Sequence, residues 1–132
     1  MQDQFHTFNM FDCQAWYARD VIMNKIKIPN DKEIESDISK WVALEEKLEN
    51  PDQMIDFQTE YTKELHEMSD YPEIDFELIR KHFKEWEHHK VEDILKYRDK
   101  SFSSPVTGSV APIHHTPWAE AMDDSSKTFL NK

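Results

Sequence analysis

The chain has 132 residues, with 27 acidic against 16 basic side chains and a formal net charge of −11. That length sets one domain, or part of one, as the expectation, and the charge argues against a nucleic-acid binder, which needs clustered Lys and Arg to meet phosphates. A single cysteine excludes an internal disulfide framework and a cysteine-based zinc site, and it fits a reducing, cytoplasmic compartment.

Hydropathy narrows the class further. No apolar run reaches the ~18 residues of a membrane span, and no basic-then-apolar leader opens the chain. Four Trp and eight Phe are too many for a disordered chain, even at a mean hydropathy of −0.84. The chain has one glycine, where average usage of about 7% would give about nine. That scarcity argues against an all-β fold and excludes a glycine-rich nucleotide loop within the chain. A nucleotide bound here would have most of its site elsewhere.

In chain order, polar Gln2-Asp3-Gln4 leads into a strongly apolar stretch. Phe8, Phe11, Ala15, Ala18 and Ile22 fall at helical spacing, and Met10, Cys13, Tyr17 and Val21 form a second stripe beside them. Two adjoining stripes predict a helix buried on most of its circumference, with Thr7 or Asn9 as its cap. Lys25-Ile26-Lys27-Ile28-Pro29 reads as a short edge strand or an extended linker. Asn30 and Glu33 have capping-box spacing before a second helix, whose one apolar stripe runs from Ile34 to Leu48 through Ile38 and Trp41. Asn50-Pro51 and Gln53 open a third helix, with Met54, Phe57, Tyr61, Leu65 and Met68 as its stripe, and Ser69-Asp70-Tyr71-Pro72 breaks it. Asp75 caps a fourth, carrying Phe76, Ile79, Phe83 and Trp86, then Val91, Ile94, Leu95 and Tyr97 after a slip near Lys90. Residues 101–116 read as an irregular wrapping segment, and Thr116-Pro117 opens a short fifth helix.

Few constellations point to chemistry. His82, His88 and His89 lie on the fourth helix, with Glu85 three residues before His88. A di-iron bundle would need a second Glu-x-x-His, which the chain lacks, so a solvated polar face is the reading preferred over a metal site. His114 and His115 read as structural. Cys13, inside the most apolar helix, reads as an inert packing thiol. Arg98 offers two readings: a cation placed at a helix C-terminus, or a contact to an anionic group. Gln2, Asp3 and Gln4 either cap the first helix or hold a polar ligand at its positive end, and periodicity leaves that choice open.

The run MQDQFHTFNMFDCQAWYARDVIM, the SDYP turn, FKEWEHHK, YRDKSF and SPVTGSVAPIHHTPWAEAMDDS together resemble the C-terminal third of bacterial flavin-containing monooxygenases, nearest the trimethylamine monooxygenase subgroup. The resemblance covers nearly the whole chain. It implies a mainly α fold: the C-terminal helical portion of a flavoprotein with two Rossmann-like dinucleotide domains, four main helices, a short terminal helix and an irregular wrapping segment. Residues 1–24 would complete the FAD domain, 25–100 form the helical region, and 101–132 the irregular segment and terminal helix. The implied cofactors are FAD and NADPH. The implied chemistry passes one oxygen atom from a C4a-hydroperoxyflavin to an amine or sulfide, trimethylamine first among them. The implied assembly is a homodimer.

Carried over residue by residue, the resemblance implies FAD contacts for Gln4 and Thr7 with Gln2 behind them, an NADP contact for Arg98, and a place for Asp3 on the nicotinamide and substrate side. Neither glycine fingerprint of the family is present, so the expectation is a C-terminal fragment that is inactive alone, with apolar surface left exposed near Phe8, Phe11, Trp16 and Tyr17. A second reading from another class is a non-enzymatic acidic helical interaction module descended from such an enzyme.

Overall fold

The computed structural model describes residues 5–110. Within them the chain forms four α-helices, α1 (Thr7–Ile22), α2 (Asp31–Glu45), α3 (Pro51–Glu67) and α4 (Phe76–Glu92), followed by a 3-10 turn at Tyr97–Asp99. The expected fifth helix at 116–122 lies outside the described residues. Among the described residues no helix is long and apolar enough to cross a membrane.

Three helix starts follow from local chemistry. The Asn30 side chain accepts the N–H groups of Lys32 and Glu33, while Glu33 reaches back to the Asn30 N–H at 2.9 Å, a complete capping box. Asn50 caps α3 through the Gln53 N–H, with Pro51 at the first helical position. Gln53 reaches back one residue further than a capping box requires, to the Glu49 N–H at 2.7 Å. Asp75 caps α4 through the Leu78 N–H.

The first helix departs from expectation. Its N-cap is His6, which contributes no side-chain cap, and Thr7 is already helical. Residues 25–29 form an extended linker and not a strand. The linker begins at Asn24, whose φ of 57° is the left-handed conformation that ends many helices, and the Lys25 and Ile26 N–H groups both return to the Asp20 carbonyl.

α3 is the central element, packed against both α1 and α4, and the 3-10 turn rests on α4. The α3 face that is buried is Ile55, Gln58, Thr59 and Thr62, spaced i, i+3, i+4 and i+7. The expected stripe of Phe57, Tyr61, Leu65 and Met68 instead turns toward α2. Threonine tolerates burial here because each hydroxyl donates into its own helix, Thr59 to the Ile55 carbonyl and Thr62 to the Gln58 carbonyl, both at 2.7 Å. α2 has no buried residue and is held mainly by Trp41, whose ring meets Phe57 and Tyr61 edge-on at 5.3 Å.

The expectation that α1 is enclosed on most sides is not met. Only Cys13 and Asp20 are buried, while Phe8 is 85% and Ile22 80% exposed. One flank is anchored to the SDYP turn: Tyr71 donates to Asp12 at 2.6 Å, Trp16 meets Tyr71 edge-on, and Arg19 and Lys25 both pair with Asp70. Trp16 is therefore half-buried, Tyr17 is half-buried on the groove side, and the exposed apolar surface near them belongs to Phe8 and Phe11.

α4 ends at Glu92, earlier than the sequence stripe. Asp93 leaves the helical conformation and its carboxylate accepts from the Leu95 and Lys96 N–H groups, starting a new turn. Val91, Ile94 and Leu95 consequently face solvent, and only Tyr97 returns to the core, against Trp86. Residues 101–110 are irregular and lie against α4, with Phe102 against His82 and His89 and the Asp75 N–H donating to the Pro105 carbonyl.

Candidate functional site

The start of α1 lies where three elements meet. Phe5 and His6 are both buried. Phe5 packs edge-on against Phe83 and Trp86 of α4, and the His6 ring lies 4.8 Å from Phe83. From α3, the Gln58 Oε1 accepts the Phe5 N–H at 2.9 Å and the His6 N–H at 3.2 Å. Thr59 Oγ1 sits 2.9 Å from His6 Nε2. Since the Thr59 hydroxyl proton is directed to the Ile55 carbonyl, His6 Nε2 carries a proton and donates. Burial, then the nearby Arg80 charge, lowers the His6 pKa to about 4, so the ring is neutral near pH 7.

In front of this junction opens a cleft of about 580 Å³, with Phe5, Phe8, Phe83, Trp86 and Phe102 as its apolar walls and Thr7 and Asn9 as its polar lip. The first turn of α1 carries no acidic residue and its N-cap supplies no side chain, so the positive end of the helix dipole is not neutralised from within the helix. An aromatic cleft beside such a helix end suits a planar, electron-rich group. The chain has no glycine-rich loop to hold a pyrophosphate.

Of the residues singled out by sequence, Thr7 is on this lip. Gln2, Asp3 and Gln4 lie outside the described residues, as do His114 and His115. Arg98 is exposed, with its guanidinium 4.6 Å over the Tyr97 ring. It stands in the 3-10 turn, and the last turn of α4 carries His89 and Lys90 instead, so the reading of Arg98 as a cation at that helix terminus does not hold. Arg98 is nevertheless linked to the start of α1 by a row of rings: Phe5 to Trp86 at 6.5 Å and Trp86 to Tyr97 at 5.3 Å.

The remaining candidates have structural roles. His82 Nε2 contacts the Ser103 carbonyl and hydroxyl at 3.1 Å, His89 stacks on Phe102, and His88 faces Glu92. Among the described residues no three His, Cys, Asp or Glu side chains converge as a metal set. Cys13 is fully buried, and burial together with Asp12 pushes its thiol up to about 11, away from nucleophilic use. The hydrogen bond to Asp12 raises Tyr71 to about 12. Sequence reasoning missed Gln58 and Thr59, because polar residues on a helix read as solvent-facing. The available signal was their i+3 and i+4 spacing from Ile55.

A second, larger groove of about 1190 Å³ lies between α1, the linker, α2 and α3, lined by Val21, Ile34, Ile38, Trp41 and Leu65 among others. Thr7 and Arg98, the cofactor candidates among the described residues, do not line it.

No protein-family model matches the chain. Individual proteins do. All 132 residues align at 86% identity with a trimethylamine monooxygenase of Pelagibacter sp. strain HTCC7211, and at 54% with a trimethylamine monooxygenase of Methylocella silvestris. The chain spans about 30% of the length of these curated relatives. It also superposes on the crystal structure of Tmm from Pelagibacter sp. strain HTCC7211, with a TM-score of 0.85 and 85% identity over 98% of this chain and 29% of that one. The resemblance read from the sequence motifs thus extends from end to end.

Proposed function

We propose that this chain is the counterpart of the C-terminal part of a trimethylamine monooxygenase, and that in the intact protein it closes over two dinucleotide domains holding FAD and NADPH. The observation that carries this is the end-to-end match at 86% identity to a protein of that name. The reaction would convert trimethylamine, NADPH, O2 and a proton to trimethylamine N-oxide, NADP+ and water. Bound flavin would supply the redox chemistry, passing two electrons from NADPH to O2 so that one oxygen atom goes to the amine nitrogen and the other leaves as water.

On this reading Gln4 and Thr7, with Gln2 behind them, contact FAD at the positive end of α1. The ring wall of Phe5, Phe83 and Trp86 keeps water from the reacting groups. Asp3 lies on the nicotinamide and substrate side, where it accepts a hydrogen bond or handles a proton. The Arg98 guanidinium, exposed and oriented on Tyr97, meets a phosphate of NADP. The intact enzyme would be a cytoplasmic homodimer, and the 132-residue chain alone would be inactive.

The test is a graft. This chain replaces the matching segment of the Pelagibacter enzyme, and NADPH oxidation is followed with and without trimethylamine. A yellow, trimethylamine-dependent graft supports the reading. A graft that folds and holds FAD yet ignores trimethylamine in an otherwise active enzyme contradicts it. The chain alone is expected to stay colourless with FAD, and flavin binding with NADPH turnover would refute its inactivity.

A further inference from the structure

We propose that Gln58 and Thr59 of α3 are positioning residues that fix how residues 5–7 are presented at the start of α1, an inference that rests on the flavin-facing reading of Thr7. The chain entering α1 is tied off sideways. Phe5 and His6 stand before the first helical turn, so their N–H groups have no partner in the ladder of α1. Both donate to one atom, the Gln58 Oε1, 53 and 52 residues away in sequence. One residue further along α3, Thr59 fixes the His6 imidazole as the Nε2–H tautomer. Phe83 and Trp86 close the other side.

The usual alternative is a cap, a side chain lying across the helix end to take its N–H groups. Here His6 points inward and supplies none. The clamp therefore holds the entering backbone in place while leaving the helix end without a side-chain cap of its own. Gln58 is buried, so losing its oxygen would leave two N–H groups without an acceptor in a dry junction. The segment would then shift or fluctuate relative to Thr7, with no cofactor contact removed directly.

A structural role alone would lower stability without acting on the flavin, and that separates the two accounts. In the FAD-loaded graft, Gln58→Leu is expected to weaken FAD binding about tenfold and to speed hydrogen exchange of the peptide spanning residues 5–10. Gln58→Glu retains an acceptor and is expected to recover FAD affinity to within about threefold of the parent. Thr62→Val serves as the stability control, since Thr62 bonds only the Gln58 carbonyl within α3. It should lower Tm while leaving FAD dissociation and that exchange rate unchanged.

If Gln58→Leu and Thr62→Val weaken FAD binding equally, positioning is refuted. The same follows if Gln58→Leu leaves FAD binding intact while Gln4→Ala or Thr7→Ala weakens it, an outcome that spares the flavin-facing reading. If none of the three changes moves FAD dissociation, the flavin-facing reading itself fails and the positioning proposal falls with it.

Discussion

On the side of α3 that meets α1 and α4, Ile55, Thr59 and Thr62 are fully buried, and every hydroxyl and amide named there has an acceptor or donor within 3.2 Å. On the side that meets α2, the residues are more apolar, yet the contact is one tryptophan against two rings and the exposed Lys40–Glu64 ion pair, with grooves on either side of the tryptophan. Apolar content alone therefore does not set which face of α3 is buried, and the junction is hydrogen-bonded except at the buried His6 Nδ1, which has no partner. The polar junction is specific in geometry, because donors and acceptors must align. The apolar flank leaves large side chains, Ile34, Ile38 and Val42, open to water.

That contrast can be broken most directly by large-to-small changes on the two sides. Ile55→Ala, at a fully buried position, is expected to cost about 3 kcal/mol in urea unfolding. Leu65→Ala, on the groove side, should cost well under half of that, and equal costs would erase the distinction.

Acid is the next probe. His6 has a folded pKa of about 4 against an ordinary 6.5, so the unfolded state binds the extra proton first as pH falls. The junction's contribution is complete above pH 6.5 and declines as pH drops toward 4, by up to about 3 kcal/mol. Unfolding free energies at pH 7 and pH 4.5, compared between the parent and His6→Gln, isolate this from carboxylate titration. A pH dependence identical in both would mean the ring is not held neutral.

The smallest effect belongs to α2. Ile38→Ser, at 57% exposure, should change stability by less than about 0.5 kcal/mol. Its effect should appear instead in sedimentation, as reduced self-association of the isolated chain, since it removes apolar surface from an open groove.

Helix starts were legible in the sequence because capping is local: Asn30, Asn50 and Asp75 each act within three residues of themselves. The Ser69-Pro72 break was legible for a similar reason, while the contact of Phe102 with α4 was not, because it joins residues about twenty apart. The face of α3 that turns inward was not, because it depends on Gln58 meeting Phe5 more than fifty residues away. The end of α4 was missed because the Asp93 carboxylate starts a new turn inside an unbroken run of helix-compatible residues. The apolar circumference of α1 was read correctly as residues, yet only one side of it is covered within this chain. For the candidate site, Thr7 lies at the lip of the cleft, where local helix chemistry marks it only as a cap candidate and the motif resemblance marks it as a cofactor contact.

The left-handed residue that closes α1 is an asparagine, and the chain starts its later helices with Asn30 and the Asn50-Pro51 pair. A chain with one glycine and six prolines has few freely rotating joints. Its denatured ensemble is accordingly restricted, since each proline and each non-glycine joint removes backbone states before folding begins. The connectors between helices thus lose less conformational freedom on folding than glycine-rich ones would. Part of this fold's persistence resides in what the unfolded chain is prevented from exploring, and no contact in the folded structure records it.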